Sequence, residues 1–350
     1  MTLDTTARSP DPKLDYAAPV RVSPIAGIAA PALRATAALL LVLVIGVICN
    51  ADHAFFRFST HQQTFREVSV PGILACGMTI VIVCGGIDLS VGSVLALTAV
   101  TFALTSMHKG WNPFVSISVC LAVGAACGAV NGILSATFKI QPFISTLAMM
   151  AFARGLAKAD FFSGGEKVGR SIQNADGTFR NVPVPAIFEA IDMRILHGNV
   201  AVVSIIFLAC VLVSYVLLAK HRWGRQLYAI GGNEEAARLS GVPVQRAMIF
   251  AYAFCGLLAA VAGICEAAQE QQGDPEAGMG YELTAIAMVV VGGTALTGGR
   301  GGVLLTLLGV LTIGYVDKIL SINAVSESWR LMLTGVIIIV AVLAQGRRRT

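Results

Sequence analysis

The chain has 350 residues, 56% of them apolar and 13% charged, with a net charge of +5 and a mean hydropathy of +0.76. A water-soluble domain carries about 25% charged residues, so these charges are too few to clothe a water-facing surface. A soluble fold is thereby excluded. The apolar residues come in runs of roughly 16–25, the length that crosses about 30 Å of hydrocarbon at 1.5 Å per helical residue. That pattern predicts an all-α polytopic membrane protein of about ten transmembrane helices.

In chain order, residues 1–33 are rich in Pro, Ala and charge and have no apolar period, which reads as a disordered cytosolic tail. A single transmembrane domain follows over 34–346. Its expected spans are 34–50, 68–84, 89–107, 113–137, 142–158, 199–219, 247–268, 283–297, 302–320 and 329–346. The block from Ala35 to Cys49 sits far from the N-terminus, without an A-x-A cleavage pattern after it, and reads as a retained first span. A polar stretch, 159–198, separates the fifth and sixth spans and is expected outside. A basic stretch, 220–246, separates the sixth and seventh and is expected in the cytosol. Residues 347–350 form a short basic tail with Arg347, Arg348 and Arg349. Lys and Arg are retained on the cytosolic side of short loops, so these two basic segments predict cytosolic N- and C-termini.

Between the second and third spans runs Gly85-Gly86-Ile87-Asp88-Leu89-Ser90-Val91-Gly92, echoed by Gly292-Gly293-Thr294-Ala295-Leu296-Thr297-Gly298-Gly299 between the eighth and ninth. Both fall on the same expected side, as in a parallel repeat, and transporters use broken helices of this kind near the substrate path. A carboxylate at membrane depth is costly, so Asp88 is a functional candidate. It is equally an N-cap candidate, since Asp88 or Ser90 satisfies free N–H groups of the following helix. Both readings stay open. Gly124, Gly128 and Gly132 recur every four residues and present one face for close helix packing. Asn131 beside them either bonds across helices or lines the path. Glu266, Glu270 and Glu282 lie at the expected outer mouth, as a solvated rim or as a contact for a soluble binding protein.

In the basic loop, Asn233 is a good N-cap, Glu234 and Glu235 put negative charge in a first turn, and Gly241 before Pro243 stops the chain. Glu234 and Arg238 stand four apart, at ion-pair spacing. The loop therefore spells a short capped helix, Glu234 to Ser240, too short to be stable alone. It packs on its own bundle or docks on a cytosolic partner.

The eight cysteines (49, 76, 84, 120, 127, 210, 255 and 265) form no C-x-x-C pair and have no histidine at ligand spacing, which argues against a metal or redox centre. There is no G-x-x-x-x-G-K-[ST] loop for ATP, no G-x-S-x-G and no H-E-x-x-H. The basic loop is too short and too poor in aromatics to bind nucleic acid.

Glu235-Ala236-Ala237 followed by Gly241 resembles the EAA-x-x-x-G loop of ABC importer permeases. Gly85 to Ser93 resembles the G-G-x-D-L-S-V-G signature of the ribose-type sugar permeases. Asn131-Gly132 with Pro142 to Leu147, Tyr228 to Asn233, and Tyr281-Glu282-Leu283 leading to Gly292-Gly293-Thr294 and Gly298 to Gly301 are similar to the same family. Two departures fall at the outer end, Thr284 where an acid is common and Gln269 where an arginine is common. The resemblance implies a multi-pass permease subunit of the bacterial inner membrane that imports a sugar or sugar-like polyol. It implies no catalytic site and no cofactor on this chain, with ATP and Mg on a partner. The implied partners are a second permease copy (a homodimer), a cytosolic ABC ATPase, an extracytoplasmic sugar-binding protein and membrane lipid. Residues 233–238 and Gly241 would couple to the ATPase, and Gly85, Gly86, Asp88, Ser90, Gly92, Asn131, Gly292 and Gly293 would line the path or its broken helices. The competing reading is an ion-gradient-driven secondary transporter, which needs intramembrane ion sites within one self-sufficient chain.

Overall fold

The computed structural model describes residues 24–160, 162–173 and 178–346. Fourteen α-helices and two small strand pairs occur among them, with a 3-10 helix over Ala51–Phe56. In the absence of water an apolar segment must satisfy every backbone group internally, and helices do so.

Helix α1 (Pro24–Ile48) begins ten residues before the expected first span. Pro24 has the fixed φ that suits a first helical turn, and the Ala-rich run after it favours helix. The part of the tail within the described residues is thus helical, and residues 1–23 and 347–350 lie outside them. Helices α2 (Phe58–Glu67) and α3 (Ser69–Val83) meet at Val68 with a 46° bend. After the glycine turn come α4 (Val91–Ala103), ending in a π-helical turn over 104–108, then α5 (Pro113–Ala136) and α6 (Pro142–Lys158).

The expected polar stretch 159–198 is not a bare loop. It holds β1 (Ser171–Gln173) paired antiparallel with β2 (Phe179–Asn181), α7 (Ala186–Asp192) and β3 (Arg194–Ile195), which pairs with β4 (Val200–Ala201). Phe188 of α7 is fully buried and stacks on Phe102 of α4 at 4.7 Å between centroids. Helices α8 (Val202–Lys220), α9 (Arg222–Gly232), α10 (Glu234–Leu239), α11 (Val244–Glu270), α12 (Tyr281–Gly292), α13 (Val303–Ile322) and α14 (Glu327–Gly346) complete the chain.

Helices α3 and α4 form the centre, with all of α4 and all of α3 but Pro71 buried. Helix α11 packs across α5, α3 and α4. The glycine face of α5 allows its closest contact: a methyl group added at Gly132 would lie 2.6 Å from the Ile249 Cα, and one at Gly128 3.0 Å from the Ala253 Cα. Backbones that approach this closely gain dispersion contacts along the whole seam. Around this centre the apolar side chains face outward: Leu41 of α1, Phe143 of α6 and Leu212 of α8 are each more than half exposed. A soluble protein does not display such a surface, whereas lipid covers it at no cost.

Six described helices are long and apolar enough to cross a bilayer, seven if the bent α2–α3 pair counts as one span. By this measure of length and apolarity six or seven of the expected ten spans stand out. Helix α6 has 17 residues and α12 only 12, about 18 Å for α12. The expected eighth span, 283–297, is short for two reasons. Gly293, at φ +103°, ends α12. Before α12, residues 271–280 are non-helical and run inside the bundle along α4. A methyl at Gly273 would meet the Val100 Cα at 2.7 Å, and one at Gly278 the Gly92 carbonyl at 2.9 Å. From Val100 to Gly92 is about 12 Å along a helix axis. Irregular backbone is tolerated at such a depth only where it is enclosed by protein or lines a cavity.

Candidate functional site

Among the described residues three helix ends are closed by the same glycine device. After α3, Gly86 N–H donates to Val81 O (3.0 Å) and Gly85 N–H to Ile82 O (2.9 Å), with Gly85 at φ +89°. After α12, Thr294 N–H donates to Val289 O (3.2 Å) and Gly293 N–H to Val290 O (2.9 Å). After α10, Val242 N–H donates to Ala237 O (3.0 Å) and Gly241 N–H to Arg238 O (3.0 Å), with Gly241 at φ +80°. These are Schellman caps, in which a left-handed glycine satisfies the last carbonyls. The internal echo in the sequence is therefore physical, but offset by one: Gly293, not Gly292, is the counterpart of Gly85.

The two glycine turns meet each other and α9. Gly299 N–H donates to Val83 O at 2.9 Å. A methyl on Gly298 would lie 3.0 Å from both the Gly85 Cα and the Gly231 Cα. Tyr228 of α9 donates its hydroxyl to Gly301 O at 2.8 Å. Deeper, the Thr79 and Thr306 hydroxyls share a 2.6 Å hydrogen bond. Thus α3, α9 and the α12–α13 turn meet backbone to backbone, with the Tyr228, Thr79 and Thr306 hydroxyls beside the contact.

Between Gly86 and α4 the chain carries Asp88, which is 1% exposed. Its Oδ1 accepts from Ser90 N–H (2.9 Å), from the Ser90 hydroxyl (2.6 Å) and from Asn131 Nδ2 (3.5 Å). Asn131 Nδ2 also donates to Ser90 Oγ at 2.9 Å. Asp88 thereby ties the start of α4 to α5. Its Oδ2 takes no hydrogen bond from nitrogen or oxygen, and neither do Asn131 Oδ1 or the Tyr252 hydroxyl. Tyr252, on α11, was not legible in the sequence. It lies against Gly86, where an added methyl would be 3.1 Å from its Cζ.

Helix α10 has the predicted caps. Asn233 Oδ1 accepts from Ala236 N–H at 2.9 Å, and Arg238 pairs with Glu234 at 2.5 Å. Ala237 is buried against the bundle while Leu239 is 85% exposed, an apolar tip that sequence reasoning passed over. His221 caps α9 through Nδ1 to Trp223 N–H at 3.3 Å.

At the opposite helix ends, the 162–170 segment is laced to the 271–278 segment. Val168 and Gly273 exchange two 2.8 Å backbone hydrogen bonds, Lys167 pairs with Asp274 at 2.9 Å, Lys158 with Glu276 at 2.6 Å, and Arg170 bonds Gln271. Burial pushes the Asp274 carboxyl up, but the Glu276 N–H and Lys167 outweigh it and hold the group below the usual aspartate value. Hydrogen bonding to Asp274 raises Lys167. Among the described residues no three His, Cys, Asp or Glu side chains could together hold a metal ion.

A bundle of apolar helices with broken, glycine-capped turns at its centre defines a polytopic membrane permease. The chain belongs to the permease family described as "Branched-chain amino acid transport system / permease component", which matches residues 62–342. Within it the resemblance is to the ribose-type sugar permeases. The ribose import permease protein RbsC of Escherichia coli K12 is 39% identical over 316 residues, 88% of this chain and 92% of that one. RbsC of Bacillus subtilis is 37% identical (88% and 90%), and the fructose import permease protein FrcC of Rhizobium meliloti is 33% identical (87% and 82%). These relatives are sugar import permease components of ABC transporters. No solved structure matches the chain.

Proposed function

We propose that this chain is the membrane subunit of an ATP-driven importer that moves a monosaccharide or polyol into the bacterial cytosol across the inner membrane. Its engine is a separate ATPase in the cytosol, and its cargo arrives from a binding protein outside. A second copy of the chain completes the path, and both termini face the cytosol. The observation that carries this reading is the joint of α9, the α3 turn and the α12–α13 turn, with α10 following directly after the jointed end of α9. Motion imposed on α10 reaches two broken helices at once. The near full-length similarity to ribose and fructose import permeases supports a sugar over the branched-chain amino acids of the family description.

An ion-gradient transporter needs several intramembrane charges. Among the described residues Asp88 is the only charged side chain enclosed in the buried core, Arg154 and Glu282 being partly exposed, which favours the ATP-driven reading. The test is reconstitution with the partner ATPase and binding protein. Radiolabelled D-ribose or D-fructose should enter liposomes only with ATP. Uptake by the chain alone under a proton or sodium gradient, or uptake of L-leucine instead, would overturn the proposal.

A further inference from the structure

The non-helical segment 271–280 and helices α4, α6 and α12 border an open-sided cavity of about 260 Å³, lined by Ser93, Met150, Ala151, Arg154, Met279, Gly280 and Glu282. A larger cavity of about 550 Å³ is formed by the 159–198 stretch itself (Arg170, Asn181, Val184 and Glu189 among its walls) and touches none of the broken helices. The smaller one stands where α4 begins: a methyl on Gly92 would lie 2.7 Å from Glu282 Oε2. Arg154 reaches it from α6. Its Nη1 donates to Pro275 O (2.6 Å) and Ala277 O (2.9 Å), satisfying two carbonyls of the irregular segment. Among the described residues Nη2 and Nε of Arg154 and the carboxylate of Glu282 have no hydrogen-bond partner.

We propose that this cavity is a sugar subsite on the translocation path, with Arg154 and Glu282 as its recognition pair. The inference rests on the reading of the chain as a sugar permease. A guanidinium offers parallel donors that suit two adjacent hydroxyl oxygens, and a carboxylate accepts the hydroxyl protons. Opposite charges on one small cavity leave it without net charge, so it repels both anions and cations and favours a neutral polyhydroxylated ligand. Met150, Ala151 and Met279 face the C–H side of such a ring. Small-ligand sites combine an apolar wall with a few convergent polar groups in this way. The irregular segment has a use here as well: its carbonyls are held by Arg154, so ligand drawn to the guanidinium is felt by the chain leading directly into α12. Glu282, which the sequence placed on an outer rim, is assigned to the path.

The test uses the complete transporter in proteoliposomes with D-ribose, D-fructose and L-leucine as radiolabelled probes. Glu282→Gln and Arg154→Lys keep size and remove the carboxylate charge or the fork. Each should lower sugar moved per ATP hydrolysed by about tenfold or more, the worth of one charge-assisted hydrogen bond. Because Arg154 also braces the segment, an independent measurement avoids both variants. Ala151→Cys is introduced beside a Cys49→Ser replacement, the other seven native cysteines being buried. A small thiol reagent should modify it, and the transported sugar should protect it. If wild type imports sugar while Glu282→Gln keeps the same sugar per ATP and Ala151→Cys gains no protection, the subsite is wrong and the permease reading stands. If wild type imports leucine instead, or no probe with ATP, the permease reading itself has failed.

Discussion

Two neighbouring glycines on α9 give a controlled test of the joint. Gly231 and Gly232 share a helix turn, yet their surroundings differ. A methyl at Gly231 would lie 2.5 Å from Gly299 N and 3.0 Å from Val83 C, both backbone atoms, while one at Gly232 meets nothing within 4 Å. Replacing either by Ala gains about 1 kcal/mol of helix propensity. Gly231→Ala additionally forces three segments apart, and overpacking of that kind costs about 1–3 kcal/mol when a flexible side chain yields. Here only backbone is available to move, so the cost sits at the top of that range and the Gly299–Val83 hydrogen bond is stretched or lost. In the reconstituted importer, Gly231→Ala should abolish ATP-driven uptake at matched membrane levels, whereas Gly232→Ala should keep wild-type uptake. Equal uptake by the two variants would refute the joint, and equal loss would show that α9 tolerates no change there for reasons other than contact.

Asp88→Ala leaves the Ser90 N–H and hydroxyl without their acceptor, at a cost of about 1–3 kcal/mol, and should abolish uptake. Asp88→Asn keeps an oxygen for Ser90 and should retain more uptake than the Ala variant. Identical losses would mean that the charge, not the cap, is needed. Leu239→Asp places a charge on the exposed tip of α10 and should release the ATPase on co-purification without lowering membrane insertion; a complex that survives in mild detergent refutes docking at that tip. For the Lys167–Asp274 tie the pH dependence has a definite sign. Asp274 is held below its ordinary value, so its contribution is present above the usual aspartate range and lost as pH falls through the depressed value. Lys167 is raised, so its part is present below the usual lysine range and lost only as pH rises past the raised value. Protease cleavage within 162–170 should therefore be flat through neutral pH and rise in acid; cleavage that rises first between pH 6 and 8 would contradict this.

The helices and both glycine turns were legible because their signals are local: apolar runs in period with the bilayer, and Gly at left-handed caps. The N-cap Asn233 and the Glu234–Arg238 pair follow from spacing alone. What could not be read was long-range. Tyr252 is one of three aromatics on α11, with Phe250 and Phe254, and nothing near it in sequence marks its approach to Gly86. Gly231 looks like any loop glycine until the α3 and α12–α13 turns are brought against it. The stretch 271–280 falls between two expected spans, and Pro275 with the three glycines between 273 and 280 counts against helix, but nothing local shows that it folds back along α4. Phe188 was hidden in a stretch whose charges outweighed its apolar period of Ile187, Phe188 and Ile191. Among the expected spans, α6 and α12 are apolar but short of the length that crosses a bilayer alone.

A joint made of Cα atoms has no slack. Long side chains between two moving parts act as springs, absorbing small displacements through rotamer changes before anything further along responds. Gly85, Gly231 and Gly298 leave no such layer between α9 and the two turns, and packed backbone is nearly incompressible. A shift of α9 by a fraction of an ångström must be passed on whole or the contact must separate. Such a gear has no backlash, which makes its two settings sharp and its timing tight, and leaves adaptation to new cargo to residues away from the hub.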